Sequence, residues 1–152
     1  MSGPHTAIDM KIVLDTNCLI MAISSKMRYR IIWKAFLDGK FILCVTNEIL
    51  EEYVEVIGRN INPSIADLVL YTILTRKNVK RLDPHFRFRL IEADPDDNKF
   101  VDCAIVAGAK YIVTEDKHFN VLKTIPFPKL QVTDIDHFFE KELNYEEGSR
   151  SL

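Results

Sequence analysis

Glycine is scarce in this chain, five in 152 residues. None sits in a phosphate-cradling loop or a dinucleotide-binding fingerprint, which excludes both nucleotide-site classes. Cysteine is scarcer still. Cys18, Cys44 and Cys103 are odd in number, scattered, and each lies in an apolar segment. Without metal-ligand spacing they read as reduced core thiols of a cytosolic protein. There is no run of 18 apolar residues to span a membrane, and no signal peptide is expected ahead of the first strand. Charge of one sign is also missing: 20 Lys and Arg against 22 Asp and Glu leave a net −2. No global basic field advertises nucleic acid, so such contact must come from local patches. His5, His85, His118 and His137 share no metal or triad spacing and read as surface residues. No serine or cysteine nucleophile matches one of them. Asp15-Thr16-Asn17 lacks the second aspartate of a phosphoaspartyl phosphatase. A receiver-like phosphoacceptor at Asp15 would need a paired acidic loop and a late lysine, a context Lys117 does not supply.

What is present is ordinary globular material, 47% hydrophobic and 28% charged, enough for one domain with a core. We expect that domain over residues 10–143. Residues 1–9 would be a flexible leading segment or an expression remnant, and 144–152 a flexible tail. Apolar runs at Lys11–Leu14, Phe41–Val45 and Tyr111–Val113 read as buried strands, Leu130–Val132 reads as a last strand, and Val79–Leu82 is a candidate for another. Between them, helical spacing marks Leu19–Ile23, Ile31–Leu37 up to the stop Asp38-Gly39, and a Thr46-capped helix facing inward with Ile49, Leu50, Tyr53, Val56 and Ile57. Pro63 opens a helix with Ile65, Leu68, Val69, Thr72 and Ile73 inward. Lys117–Lys123 reads as a short helix and Asp134–Leu143 as a final amphipathic one. Pro84 to Glu92 carries no clear pattern. The βαβα alternation implies a parallel sheet with helices on both faces.

The chemistry concentrates in acids. Asp94-Pro95 is a helix-start signal. On the wheel that follows, Phe100, Val101, Ala104, Ile105, Ala107 and Gly108 form the core stripe. Asp97 falls inside that stripe and Asp102 points to solvent. Asp15 and Asp116 end strands, and in an open α/β sheet the carboxyl ends of strands are where ligand sites form. On the second-strand helix, Glu51 and Glu55 face solvent, while Glu52 borders the apolar stripe and Glu48 lies one turn earlier on the same flank. Asp97 alone admits two readings, a structural cap or a site acid. Glu48 reads as a capping-region acid. Converging carboxylates raise one another's pKa. A divalent cation compensates, and oxygen-only ligands favour Mg²⁺ or Mn²⁺ over zinc. Such a cation, or a pair, can activate water and stabilise the charge that develops in phosphodiester cleavage.

KIVLDTN at the first strand, VTNEILEEY at the second, and DPDDNKFVDCAIVAGAKYIVTEDKHF together resemble the PIN domain, from about Met10 to Leu143. The branch most similar is the toxin components of bacterial and archaeal toxin–antitoxin pairs. The resemblance implies a three-layer α/β/α sandwich with a central, mostly parallel sheet. It also implies a Mg²⁺- or Mn²⁺-dependent endoribonuclease that leaves a 5′-phosphate and a 3′-hydroxyl. Carried over, the catalytic and metal-holding acids are Asp15, Glu52, Asp97 and Asp116. Asn17 matches a small polar helper. Lys99 flanks the acids, as Lys117 does, and could steady a phosphate. Glu115 receives no role. RNA, a cognate antitoxin and a second copy of the chain are the implied partners. Lys26, Arg28 and Arg30, or Arg76, Lys77, Lys80 and Arg81, are candidate RNA contacts; their alternative is solvated helix ends. Leu70, Tyr71 and Leu74 could be shared between core and dimer interface. The rival from another class is an inert PIN-like scaffold that binds RNA or protein.

Overall fold

The computed structural model describes residues 10–24, 28–83, 87–91, 95–125 and 130–143. The expected cap Asp94, the cation Lys26, the histidines His5 and His85 and both flanking segments lie outside them. Five strands form one parallel sheet: β1 Lys11–Leu14, β2 Ile42–Thr46, β3 Val79–Leu82, β4 Tyr111–Val113 and β5 Gln131–Thr133. Their order is β3-β2-β1-β4-β5, all neighbours parallel, with β1 in the centre. Ile12, Val13 and Leu14 are all buried. Successive strand residues point to opposite faces, so helices must cover both, giving the three-layer sandwich.

The helices are α1 Thr16–Ile23, α2 Arg30–Leu37, α3 Asn47–Asn60, α4 Pro63–Thr75, α5 Asn98–Ala107 and α6 Ile135–Phe138. Local chemistry sets their ends. Thr46 accepts the N–H of Ile49, and Asn62 that of Ile65 ahead of Pro63. α5 stops at Gly108, whose φ of 68° is left-handed and closed by Ala109 N–H to the Ala104 carbonyl at 2.9 Å. Tyr53 of α3 is buried and donates to the Leu14 carbonyl at 2.6 Å, tying that helix to the carboxyl end of the central strand.

Several sequence expectations shift. The second and last strands begin and end one residue later than their apolar runs. Asp134–Leu143 is one turn of α-helix followed by a π-helical turn, Phe139–Leu143, and Lys117–Thr124 is 3₁₀ rather than α. Leu68 is not inward but 60% exposed, with Tyr71 and Leu74 also exposed. α4 is apolar on nearly every side, so spacing alone cannot choose its face. Ala66, Val69 and Ile73 are chosen, with Ala66 set close to Gly58 where α3 and α4 cross. Among the described residues no helix is long and apolar enough to cross a membrane.

Candidate active site

The strand order dictates where a site can form. The chain leaves β1 and builds β2 and β3 on one side, then returns to place β4 and β5 on the other. Between β1 and β4 the crossovers diverge, and the crevice outside their carboxyl ends is open for ligands. Asp15 follows β1, and Thr114, Glu115 and Asp116 follow β4.

Asp15 is buried and fully held. Its Oδ1 accepts the N–H of Asn17 at 2.8 Å, which caps α1, and its Oδ2 accepts the Thr114 hydroxyl at 2.5 Å. Burial pushes the Asp15 carboxyl above its ordinary value; the Thr114 and Asn17 hydrogen bonds pull it back, and the charges of Asp116 and Glu52 push it up further. Thr114 in turn accepts the backbone N–H of Asp116 at 3.0 Å, so one hydroxyl ties the Asp15 carboxylate to the backbone that carries Asp116. Asn17 itself is exposed, beside its strand-end acid.

Glu52 reaches in from α3. Its Oε2 accepts the Thr16 hydroxyl at 2.5 Å, and its Oε1 pairs with Lys99 Nζ at 2.7 Å, with both side chains largely covered. Lys99, expected to steady a phosphate, therefore neutralises Glu52. Glu48, one turn earlier, is exposed and pairs with Arg87 at 2.9 Å.

Asp97 does not lie on the face of a helix. It ends the 3₁₀ turn Pro95–Asp97 and stands at the N-cap position of α5. The helix begins three residues later than the Asp94-Pro95 signal implied, because a turn of 3₁₀ intervenes. This puts Asp97 near the 3₁₀ stretch that follows β4. His118 Nδ1 stands 3.8 Å from Asp97 Oδ2 and 3.3 Å from Asp116 Oδ1. Among the described residues, Asp97, Asp116 and His118 offer donor atoms all within 4.8 Å of one another. His118 is exposed, as expected, yet lies beside these acids. Its signal was local: an aspartate two residues before it whose Oδ1 accepts its N–H at 2.8 Å.

Asp102 also departs from the wheel. It is 2% exposed, not solvent-facing, and its Oδ1 accepts the Phe88 N–H at 3.1 Å. The unassigned connection supplies the cover: residues 87–91 fold over that flank of α5, and Asn98 fastens them through both N–H and carbonyl of Ile91. Arg89 there has φ 54°, a left-handed conformation costly for a residue with a Cβ. A cavity of about 600 Å³ opens beside Lys99, walled by Arg87, Arg89, Asp96 and Asp102.

Burial, opposed by the Phe88 hydrogen bond and the Arg87 charge and aided by Glu48, raises the Asp102 carboxyl above its ordinary value. The folded chain therefore holds that proton more tightly than the unfolded chain. The contribution is fully present below the unfolded value near 3.8 and is lost as pH rises through the raised folded value. Asp102→Asn keeps an acceptor for Phe88 without the buried charge. Its melting temperature relative to the unmodified chain should be higher at pH 7 than at pH 4; an equal difference at both would contradict this.

The neighbouring groups are structural. Glu115 Oε2 accepts the Ile135 N–H at 2.7 Å, so the acid given no role fastens the final helix. Burial pushes the Cys44 thiol up to about 11 and raises Cys18 and Cys103 as well, which leaves no ready thiolate. Of the expected RNA contacts, Arg28 pairs with Asp136 and Glu140 and lies over Phe139, and Arg81 donates to Asn47.

A PIN domain family model matches residues 11–118. The chain belongs to the PIN domain family. No curated protein matches it. Among solved structures, this PIN domain resembles VapBC-1 of nontypeable Haemophilus influenzae at 19% identity, covering 84% of this chain and 99% of that one, with a TM-score of 0.56. A DNA-bound VapBC of Salmonella typhimurium matches at 18%, over 83% and 98%, with 0.56. Mycobacterium tuberculosis VapC20, a sarcin-ricin loop cleaving toxin, matches at 14%, over 72% and 92%, with 0.54. At these identities the likeness is one of fold.

Proposed function

We propose that this PIN domain is a Mg²⁺- or Mn²⁺-dependent endoribonuclease, the toxin of a toxin–antitoxin pair. The observation that carries the reading is the gathering of acids at the switch point between β1 and β4. The Thr114 hydroxyl ties the Asp15 carboxylate to the backbone of Asp116, and Asp97 and Asp116 face one another across His118. The donor set fits a divalent cation, because oxygens of Asp97 and Asp116 and a ring nitrogen of His118 lie within 4.8 Å of one another with Asp15 close by. Asp15, Glu52, Asp97 and Asp116 would hold it. When bound, a divalent cation lowers the pKa of a water and draws off the negative charge developing on a phosphate. Lys99 orients Glu52 through their ion pair. The Asn17 N–H holds the first turn of α1 to Asp15, and Arg87 and Arg89 line the cavity beside Lys99, where a polyanion would lie. VapC20 is a sarcin-ricin loop cleaving toxin, and the fold is shared with it. An antitoxin partner and a homodimer extend the same reading, with exposed Tyr71 and Leu74 of α4 as the copy-to-copy contact.

The test is a calorimetric titration of the purified chain with Mn²⁺ and Mg²⁺, beside cleavage of mixed RNA with and without chelator. Cation-dependent cuts ending in 5′-phosphates are the expected result. An intact RNA pool and no cation heat would favour the inert scaffold.

A further inference from the structure

The donors at this site are not all oxygen. His118 follows Asp116 by two residues, and the Asp116 carboxylate accepts the His118 N–H at 2.8 Å, closing a tight turn. That turn aims the ring back over its own aspartate. Nδ1 stands 3.3 Å from Asp116 Oδ1 and 3.8 Å from Asp97 Oδ2. Neighbouring ligands of one ion, at bonds of about 2.0–2.2 Å, sit about 3.0–3.5 Å apart. The two distances from Nδ1 lie within a few tenths of an ångström of that range, and all three atoms fall within 4.8 Å of one another, close enough to converge on one cation. The His118 side chain is half exposed, so an ion reaches it from solvent and its truncation leaves no cavity in the core.

We propose that His118 is a protein ligand, through Nδ1, of the cation held by Asp97 and Asp116, and that it makes the site select Mn²⁺ over Mg²⁺. The inference rests on the metal-dependent reading above and refines which ion serves it. Mg²⁺ is a hard ion that takes oxygen donors and keeps its waters, whereas an imidazole suits softer first-row ions. One nitrogen in an otherwise carboxylate set thus moves the preference without moving the site. Among the described histidines, His137 cannot substitute, since its Nδ1 lies 2.7 Å from Asp134 at the cap of α6.

The experiment compares the full chain with His118→Ala, each titrated with Mn²⁺ and with Mg²⁺ by calorimetry. The Mn²⁺-loaded proteins are then read by pulsed electron paramagnetic resonance for ¹⁴N coupling. The expected result is imidazole nitrogen coupling in the unmodified chain and none in His118→Ala. Mn²⁺ affinity should fall on the order of tenfold in the variant, with Mg²⁺ affinity held within about twofold. Manganese bound without nitrogen coupling, or an equal loss for both ions, overturns the ligand role while leaving a metal site. Failure of the unmodified chain to bind either ion overturns the underlying reading instead.

Discussion

Asp97→Asn is expected to lower RNA cleavage by roughly 1,000-fold or more and to remove cation binding with it. The group lost is one of two carboxylates that approach each other across His118, and no other acid of α5 can replace it. Asp102, the nearest alternative on that helix, is turned away and committed to the Phe88 N–H. Removing a single group that meets developing charge commonly costs 100- to 1,000-fold, and a shared ion magnifies that loss because its other ligands lose their partner. Stability should behave in the opposite way. Without cation, asparagine keeps the shape of the side chain at the N-cap position of α5, so the variant should melt within about 1 kcal/mol of the unmodified chain. With cation at 100 times its dissociation constant, the unmodified chain alone gains about 2.7 kcal/mol. A thermal shift with Mn²⁺ therefore separates the two proteins independently of catalysis. Normal cleavage by Asp97→Asn would remove this carboxylate from the site.

The second large effect is expected from a residue with no polar side-chain atom. Phe119 is 0% exposed and follows His118 directly, in the 3₁₀ stretch that leaves β4. Its N–H bonds the Asp116 carbonyl at 3.2 Å, so its buried ring is the anchor from which Asp116 and His118 are presented. Phe119→Ala should cost about 3–5 kcal/mol of stability. In a chain of this size that is roughly 6–20 °C in melting temperature. It should also weaken Mn²⁺ binding, because an unanchored turn no longer holds the two donors together. Phe119→Leu, which keeps most of the volume, should cost less than about 1.5 kcal/mol and restore the binding. A loss of stability with Mn²⁺ affinity unchanged would show that the turn holds its shape without the ring.

The fold was legible because its three central strands, β1, β2 and β4, are short apolar runs that are largely buried, and because Thr46 and Pro63 mark helix starts openly. The strand-end positions of Asp15 and Asp116 followed from the same pattern. Two kinds of information were not local. Asp102 was misread because a helical wheel knows only its own helix, and the cover over that flank is a loop with no periodicity at residues 87–91. Leu68 was misread because α4 offers apolar residues all round, and the contact with Gly58 of α3 selects the buried face. His118 was passed over since metal spacing was sought among histidines and cysteines, while its partners are aspartates on two different segments.

The strand order sets a schedule for synthesis. The hydroxyl that links the two strand-end acids joins Thr114 to Asp15, 99 positions earlier in the chain, and His118 comes later still. A ribosome has therefore made β1, β2 and β3 before the strand that completes the crevice exists. Until β4 slots in beside β1, Glu52 already has Thr16 and Lys99 as partners, but Asp15 lacks the Thr114 hydroxyl. A chain cut before residue 114 therefore keeps Asp15 without the hydroxyl donor that holds it.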